Sequence, residues 1–223
     1  MSRIFFVLLT IVTLSTLMFL GCSKECEPYD DSYICDPSIP VVLNGDTIPE
    51  GRIERSAYEC VTEINLSEYN LSDPNCLAGI EEHSATLQKL NIGYNRELTS
   101  IDLSPLSTCT RLEELDLMAT SLTSVDISPL AECTNLWILS FWDSELESID
   151  LTPLSSCIYM EKLFRCANEL TSIDLVPILE FEHIRLLYLD YNNLDATSCE
   201  QICEFIETHP NCDVMTDCAG GGK

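Results

Sequence analysis

One phrase recurs along this chain at a nearly fixed step. From Leu87 the pattern L-x-x-L-x-L-x-x-(N/T/S)-x-L repeats, and Leu112, Leu136, Met160 and Ile184 each restart it. From Leu112 onward the step is 24 residues; from Leu87 to Leu112 it is 25, because Arg96-Glu97 supplies one extra residue. A weaker copy begins at Val61, with Ile64, Leu66, Tyr69 and Leu71 in register, which makes six units. No unit of this length buries its apolar residues alone, so a period in this range requires neighbours to stack into a solenoid.

The physics of one unit is readable. Leu115 and Leu117 alternate with Glu114 and Asp116, the pattern of a short strand with its leucines inward. A polar ladder follows (Asn95, Thr120, Ser144, Asn168 and Asn192), all side chains able to hydrogen-bond turning backbone. Leu122, Val125 and Leu130 then point back inside. Ser128-Pro129, repeated as Ser104-Pro105 and Thr152-Pro153, reads as an N-cap followed by proline at the first helical position. That predicts a short helical turn on the convex side of each unit.

Together these residues make the phrase L-T-S-I-D-L-S-P-L-x-x-C-T-x-L. It resembles bacterial leucine-rich repeats, and is similar to the internalin-like and SDS22-like subclass, whose repeats carry I-S-P-L-x-x-L-T-x-L. The resemblance implies an α/β solenoid: a short horseshoe of the six repeats, with a parallel concave sheet and short helical turns on the convex side. The units depart from that pattern in an inserted Asp-Leu, and in a Cys where internalins often place Leu. The repeats are expected to occupy residues 60–196, between a tether and N-terminal cap at 22–59 and a C-terminal cap at 197–218. Residues 219–223 form a glycine-rich, flexible end.

Thirteen cysteines accompany an export signal, which implies an oxidising compartment. Cys109, Cys133 and Cys157 share one repeat position that Phe181 fills next, so it is a buried position and these are expected as free core thiols in a ladder. Cys26, Cys35, Cys60 and Cys76 precede the array and Cys199, Cys203, Cys212 and Cys218 follow it, where disulfides would cap unfinished core. The simplest guesses are Cys60–Cys76 and Cys26–Cys35, although sequence alone does not fix the pairing. Cys166 is expected either free or bonded to a terminal cysteine.

Residues 1–21 carry one charge, Arg3, and an almost unbroken apolar run from Ile4 to Leu20 that ends in Gly21-Cys22. This is the layout of a signal peptide. Phe19-Leu20-Gly21-Cys22 resembles the bacterial lipoprotein box, which implies that Cys22 becomes the lipidated first residue and holds the chain on a membrane of the cell envelope. Ordinary secretion and a retained anchor are the alternatives. Without residues 1–21 the chain keeps 10 Lys+Arg against 37 Asp+Glu. That excess of negative charge excludes nucleic acid as a partner. A monomer is expected.

Outward-facing strand residues would form the concave surface. Tyr94, Met118, Trp142, Phe164, Tyr188 and Tyr191 make an aromatic, sulfur-containing band across it, with Asp116, Asp143 and Lys162 for polar selectivity. Aromatic residues dominate binding energy at interfaces, so this band is the candidate site for a protein partner. The competing reading is a spacer whose aromatics only cover the sheet; a third is an inhibitor that captures an enzyme.

Asp102, Asp126, Asp150 and Asp174 form a carboxylate column, expected to brace turns rather than to hold Ca²⁺, since no segment concentrates acids as calcium loops do. Cys199, Cys203, His209 and Cys212 have zinc-ligand chemistry without a C-x-x-C pair, and disulfides are the favoured reading. His83, His183 and His209 lie apart from any nucleophile motif, and neither G-x-S-x-G nor H-E-x-x-H occurs. No catalytic residue, cofactor or metal is therefore expected.

Overall fold

The computed structural model of the protein describes residues 42–43, 46–48, 53–55 and 60–218. Ten short strands and one α-helix are found there. Strands β1 (Val42–Leu43) and β2 (Asp46–Thr47) form a small antiparallel hairpin. The other eight make one sheet: β3 (Ile53–Arg55), β4 (Val61–Asn65), β5 (Lys89–Asn91), β6 (Glu114–Asp116), β7 (Ile138–Ser140), β8 (Lys162–Phe164), β9 (Leu186–Tyr188) and β10 (Asp213–Met215). Seven of these, β4 to β10, run parallel, whereas β3 pairs antiparallel with β4.

Register follows the repeat. Ile64, Leu90, Leu115, Leu139, Leu163, Leu187 and Val214 stand opposite one another across the seven parallel strands. All are buried, and with the leucines of the returning segments they make one continuous core. A slip of one residue would turn each strand's core leucine to solvent, so the apolar pattern fixes the pairing.

The polar ladder closes each turn. The Asn168 side-chain amide donates to the carbonyls of Phe141 (2.8 Å) and Arg165 (3.1 Å), and its Oδ1 accepts from the Leu146 N–H (3.1 Å). Asn192 does the same one unit further on, and Asn95 three units back. Thr120 and Ser144 replace the amide pattern with a hydroxyl pair 3.0 Å apart, both on the Leu117 carbonyl. The residue before each ladder position is left-handed: Tyr94, Ala119, Asp143, Ala167 and Tyr191 have φ between 54° and 59°. These are non-glycine residues in a costly region, held there by the bonds of the following side chain.

The convex turns are 3-10 helices at Ser104–Thr108, Ser128–Glu132, Thr152–Ser156 and Val176–Ile178, each with proline in its first positions. Here one expectation is corrected. Ser104, Ser128 and Thr152 do not cap these turns with their hydroxyls; they are the first helical residues. The aspartate two positions earlier accepts their backbone N–H, at 2.8 Å for Asp102, 2.9 Å for Asp126 and Asp150, and 3.0 Å for Asp174 on Val176. A carboxylate reaches the N–H two residues on without strain, and the Ser104, Ser128 and Thr152 side chains hydrogen-bond the same aspartates.

Cys109, Cys133 and Cys157 are buried free thiols, as their shared position with Phe181 suggested. At the N-terminal end the Cys60–Cys76 pairing is wrong: Cys60 is disulfide-bonded, but Cys76 is a free thiol buried in the core. At the other end α1 (Ala196–Thr208) is capped by Asp195, whose Oδ1 accepts from Ser198 N–H at 2.8 Å, and a Cys199–Cys218 disulfide ties its start to the chain beyond β10. Cys203 and Cys212 are free. The inferred signal segment, Cys22, the Cys26–Cys35 pairing and the tail at 219–223 lie outside the described residues. Among the described residues, no helix is long and apolar enough to cross a membrane.

Candidate functional site

Because the side chains of a strand alternate, every residue between two core leucines faces the opposite surface. The registers stack Asp116, Ser140, Phe164 and Tyr188 in one column on that face. One repeat position further along lie Met118, Trp142, Cys166 and Asp190. The two columns line a depression of about 600 Å³ that also takes in Glu114, Ile138, Tyr191 and Met215. Its surface is mostly apolar. Phe164 meets Tyr188 edge-on, with ring centroids 5.3 Å apart, and Trp142 stays 46% exposed although its neighbours pack around it. Gly93 gives Met118 its place, since a Cβ there would stand 2.9 Å from Met118 Cγ.

Three carboxylates edge this surface. Glu114 is bridged by Lys89 at 2.8 Å, which raises the Lys89 pKa. Asp116 accepts from the Met118 N–H at 3.0 Å, and burial pushes its pKa above the ordinary carboxylate value. Asp190 keeps one oxygen, Oδ1, buried with no hydrogen bond among the described residues. Cys166 is a buried free thiol whose pKa is pushed up to about 11, first by burial and then by Asp190.

Of the nine residues read from sequence as candidates, six line the depression: Asp116, Met118, Trp142, Phe164, Tyr188 and Tyr191. Three do not. Tyr94 is exposed on the sheet but stands outside it. Asp143 is turned away by Arg96, whose guanidinium bonds both its carboxylate and its backbone carbonyl. Lys162 lies over the Trp137 ring at 5.4 Å. Met215 was missed, because its strand joins the sheet only after the α1 excursion. Asp190 was visible in the repeat column, but the unsatisfied burial of its Oδ1 among the described residues could not be read from spacing. A second, more open hollow of about 470 Å³ lies beside the sheet around Trp137, Tyr159 and His183.

Among the described residues, no three His, Cys, Asp or Glu side chains converge to hold a metal ion. No histidine lines the main depression.

A fixed repeat, core leucines in register across a parallel strand stack and 3-10 turns on the reverse side define a solenoid fold of leucine-rich repeats. No family model and no curated protein matches the chain. Among solved structures, it is similar to an internalin from Listeria monocytogenes, with 20% identity and a TM-score of 0.46 over 72% of this chain and 51% of that one. It is also similar to a leucine-rich-repeat protein of Leptospira interrogans, with 16% identity and a TM-score of 0.40 over 62% of this chain and 47% of that one. The chain thus spans about half the length of each.

Proposed function

We propose that this is a cell-envelope lipoprotein, anchored through lipid on Cys22, that binds a protein partner on the concave strand face. The observation that carries the reading is the apolar depression formed by Met118, Trp142, Phe164, Tyr188 and Met215 on a surface where each unit could instead have displayed charge. An exposed apolar patch rimmed by polar residues marks an interaction surface, and Trp and Tyr are the residues that anchor such contacts. The rigid stacking of the strands means the site is preformed, so little ordering cost opposes association. The chain's work is recognition by shape and burial.

The test is a crosslinking capture from native envelopes with the tagged full-length chain, beside Trp142→Asp and Tyr188→Asp variants whose fold is checked by circular dichroism. Capture by the parent and loss from both variants is the expected result. Equal capture by all three would leave the repeats as a spacer. The anchor has its own test: Cys22→Ser should move the chain from the detergent phase to the aqueous phase and remove the acyl mass from the N-terminal peptide.

A further inference from the structure

Within the concave depression the two ends differ. Around Trp142 and Met118 the walls are apolar, whereas around Asp190 they combine rings with a carboxylate that meets the Cys166 thiol but whose Oδ1 makes no hydrogen bond among the described residues. Tyr188 and Tyr191 flank Asp190 in the chain, Phe164 packs edge-on against Tyr188, and Met215 closes the side from β10. Among the described residues, neither lysine nor arginine lines the depression. Of the other carboxylates there, Glu114 is already bridged by Lys89. Arg165, between Phe164 and Cys166 in sequence, does not serve Asp190: it is fully buried, and among the described residues none of its guanidinium nitrogens makes a hydrogen bond.

A buried carboxylate oxygen without a donor is a standing cost that a ligand can relieve. An anion would be repelled, and an apolar side chain would leave the oxygen as unsatisfied as before. A cation gains twice, from the charge-assisted bond to Asp190 and from the faces of the neighbouring rings. The chain's net charge of −26 draws such a partner in from a distance.

The geometry points to the Asp190 end of the depression as the seat of a lysine or arginine side chain presented by the partner protein, with Tyr188 and Tyr191 as its aromatic walls. This rests on the reading of the concave face as a partner surface and adds the chemistry of what is bound there.

The test titrates the full-length chain in detergent with short Gly/Ser peptides carrying lysine, arginine, norleucine or glutamate. Binding is followed by calorimetry and by tryptophan emission, to which only Trp137 and Trp142 contribute. The lysine and arginine peptides are expected to bind at least about tenfold more tightly than the norleucine peptide, with Asp190→Asn removing that preference while circular dichroism stays unchanged. Equal affinity for lysine and norleucine, or a preference that survives Asp190→Asn, would overturn the assignment. If the norleucine peptide binds as well as lysine and is lost in Trp142→Ala, the concave face stands as a site for an apolar partner while the cation reading fails. Self-association abolished by Trp142→Ala would put a second copy there and likewise overturn it. If no peptide binds, the cation reading fails as well, and the envelope capture decides the surface separately.

Discussion

The guanidinium of Arg165 lies 5.9 Å from the centroid of the Phe141 ring, inside the core, with all three of its nitrogens lacking a hydrogen bond among the described residues. It occupies the inward position that Ile92, Leu117, Phe141 and Leu189 fill in neighbouring units. Among the described residues the ring is its favourable electrostatic neighbour, and burial drags its pKa well below the ordinary guanidinium value, to about 9.

Arg165→Leu should therefore stabilise the fold, by about 2 kcal/mol at neutral pH, since an apolar residue replaces a charge that no acid compensates. The sign with pH follows. The folded pKa lies below the unfolded one, so in the window from about 9 up to the ordinary guanidinium value the unfolded chain binds more protons. Stability of the parent relative to the variant should rise across that window. Denaturant melts of both proteins at pH 7 and pH 10 would show the gap narrowing; a variant less stable than the parent contradicts the argument.

Ala167 at φ 54° predicts an inversion of the usual rule. Replacing alanine by glycine ordinarily destabilises, yet the left-handed region costs an L-residue about 1–2 kcal/mol. After the greater freedom of glycine in the unfolded chain is subtracted, Ala167→Gly should gain about 0.5 kcal/mol. Chemical denaturation measures it, with an Ala→Gly change at right-handed Ala131 as the control that should lose stability.

The Asn ladder should be unevenly important. Asn168→Ala removes donors from two buried carbonyls and the acceptor of Leu146 N–H, and should cost about 2–3 kcal/mol. Thr120→Val breaks the hydroxyl pair with Ser144 but keeps the shape, and should cost about 1 kcal/mol. A reversed order in paired melts would mean that the turn is held elsewhere.

Thiol chemistry should separate core from rim. Burial pushes the Cys109 and Cys133 thiols up to about 12 and Cys157 up to about 11, so none supplies thiolate near neutrality. Cys203 is exposed. Pulse alkylation with peptide mass mapping should label Cys203 in the native protein, and the ladder only after unfolding.

The turn-bracing aspartates set the acid limit. Hydrogen bonds from the residue two positions on hold Asp102, Asp126 and Asp150 below the ordinary carboxylate pKa of 3.8, and those from Ser198 do the same for the Asp195 cap. For a depressed carboxylate the stabilisation is complete above the unfolded pKa and lost as pH falls through the folded one. Melting temperature should thus decline below about pH 4. The decline should be shallower in Asp126→Asn, which keeps an acceptor without the titration.

What the sequence disclosed depends on repetition. Leu115, Asn168, Cys133 and Asp126 were legible because each stands in a column whose other members confirm its role. Residues outside a column were not. Arg96 belongs to the single inserted step, so nothing in the period foretold its reach across units to Asp143. Met215 arrives after a helix that breaks the count, and Cys60 and Cys76 stand at an end where no repeat constrains pairing. Arg165 breaks its own column of apolar residues. The same column that reveals Leu117 as core marks Arg165 as an exception, with no indication of what offsets it.

The reversed strand β3 has a consequence for assembly. A sheet whose strands all ran one way would offer, at its first edge, a surface onto which another copy's β10 could continue the winding. Here that edge runs backwards. A copy laid parallel to it would have to sit head to tail with the first, its own coil opposed, so the progression stops. Among the described residues, the coil thus carries a stop at its leading edge against continuation of the winding by a second copy.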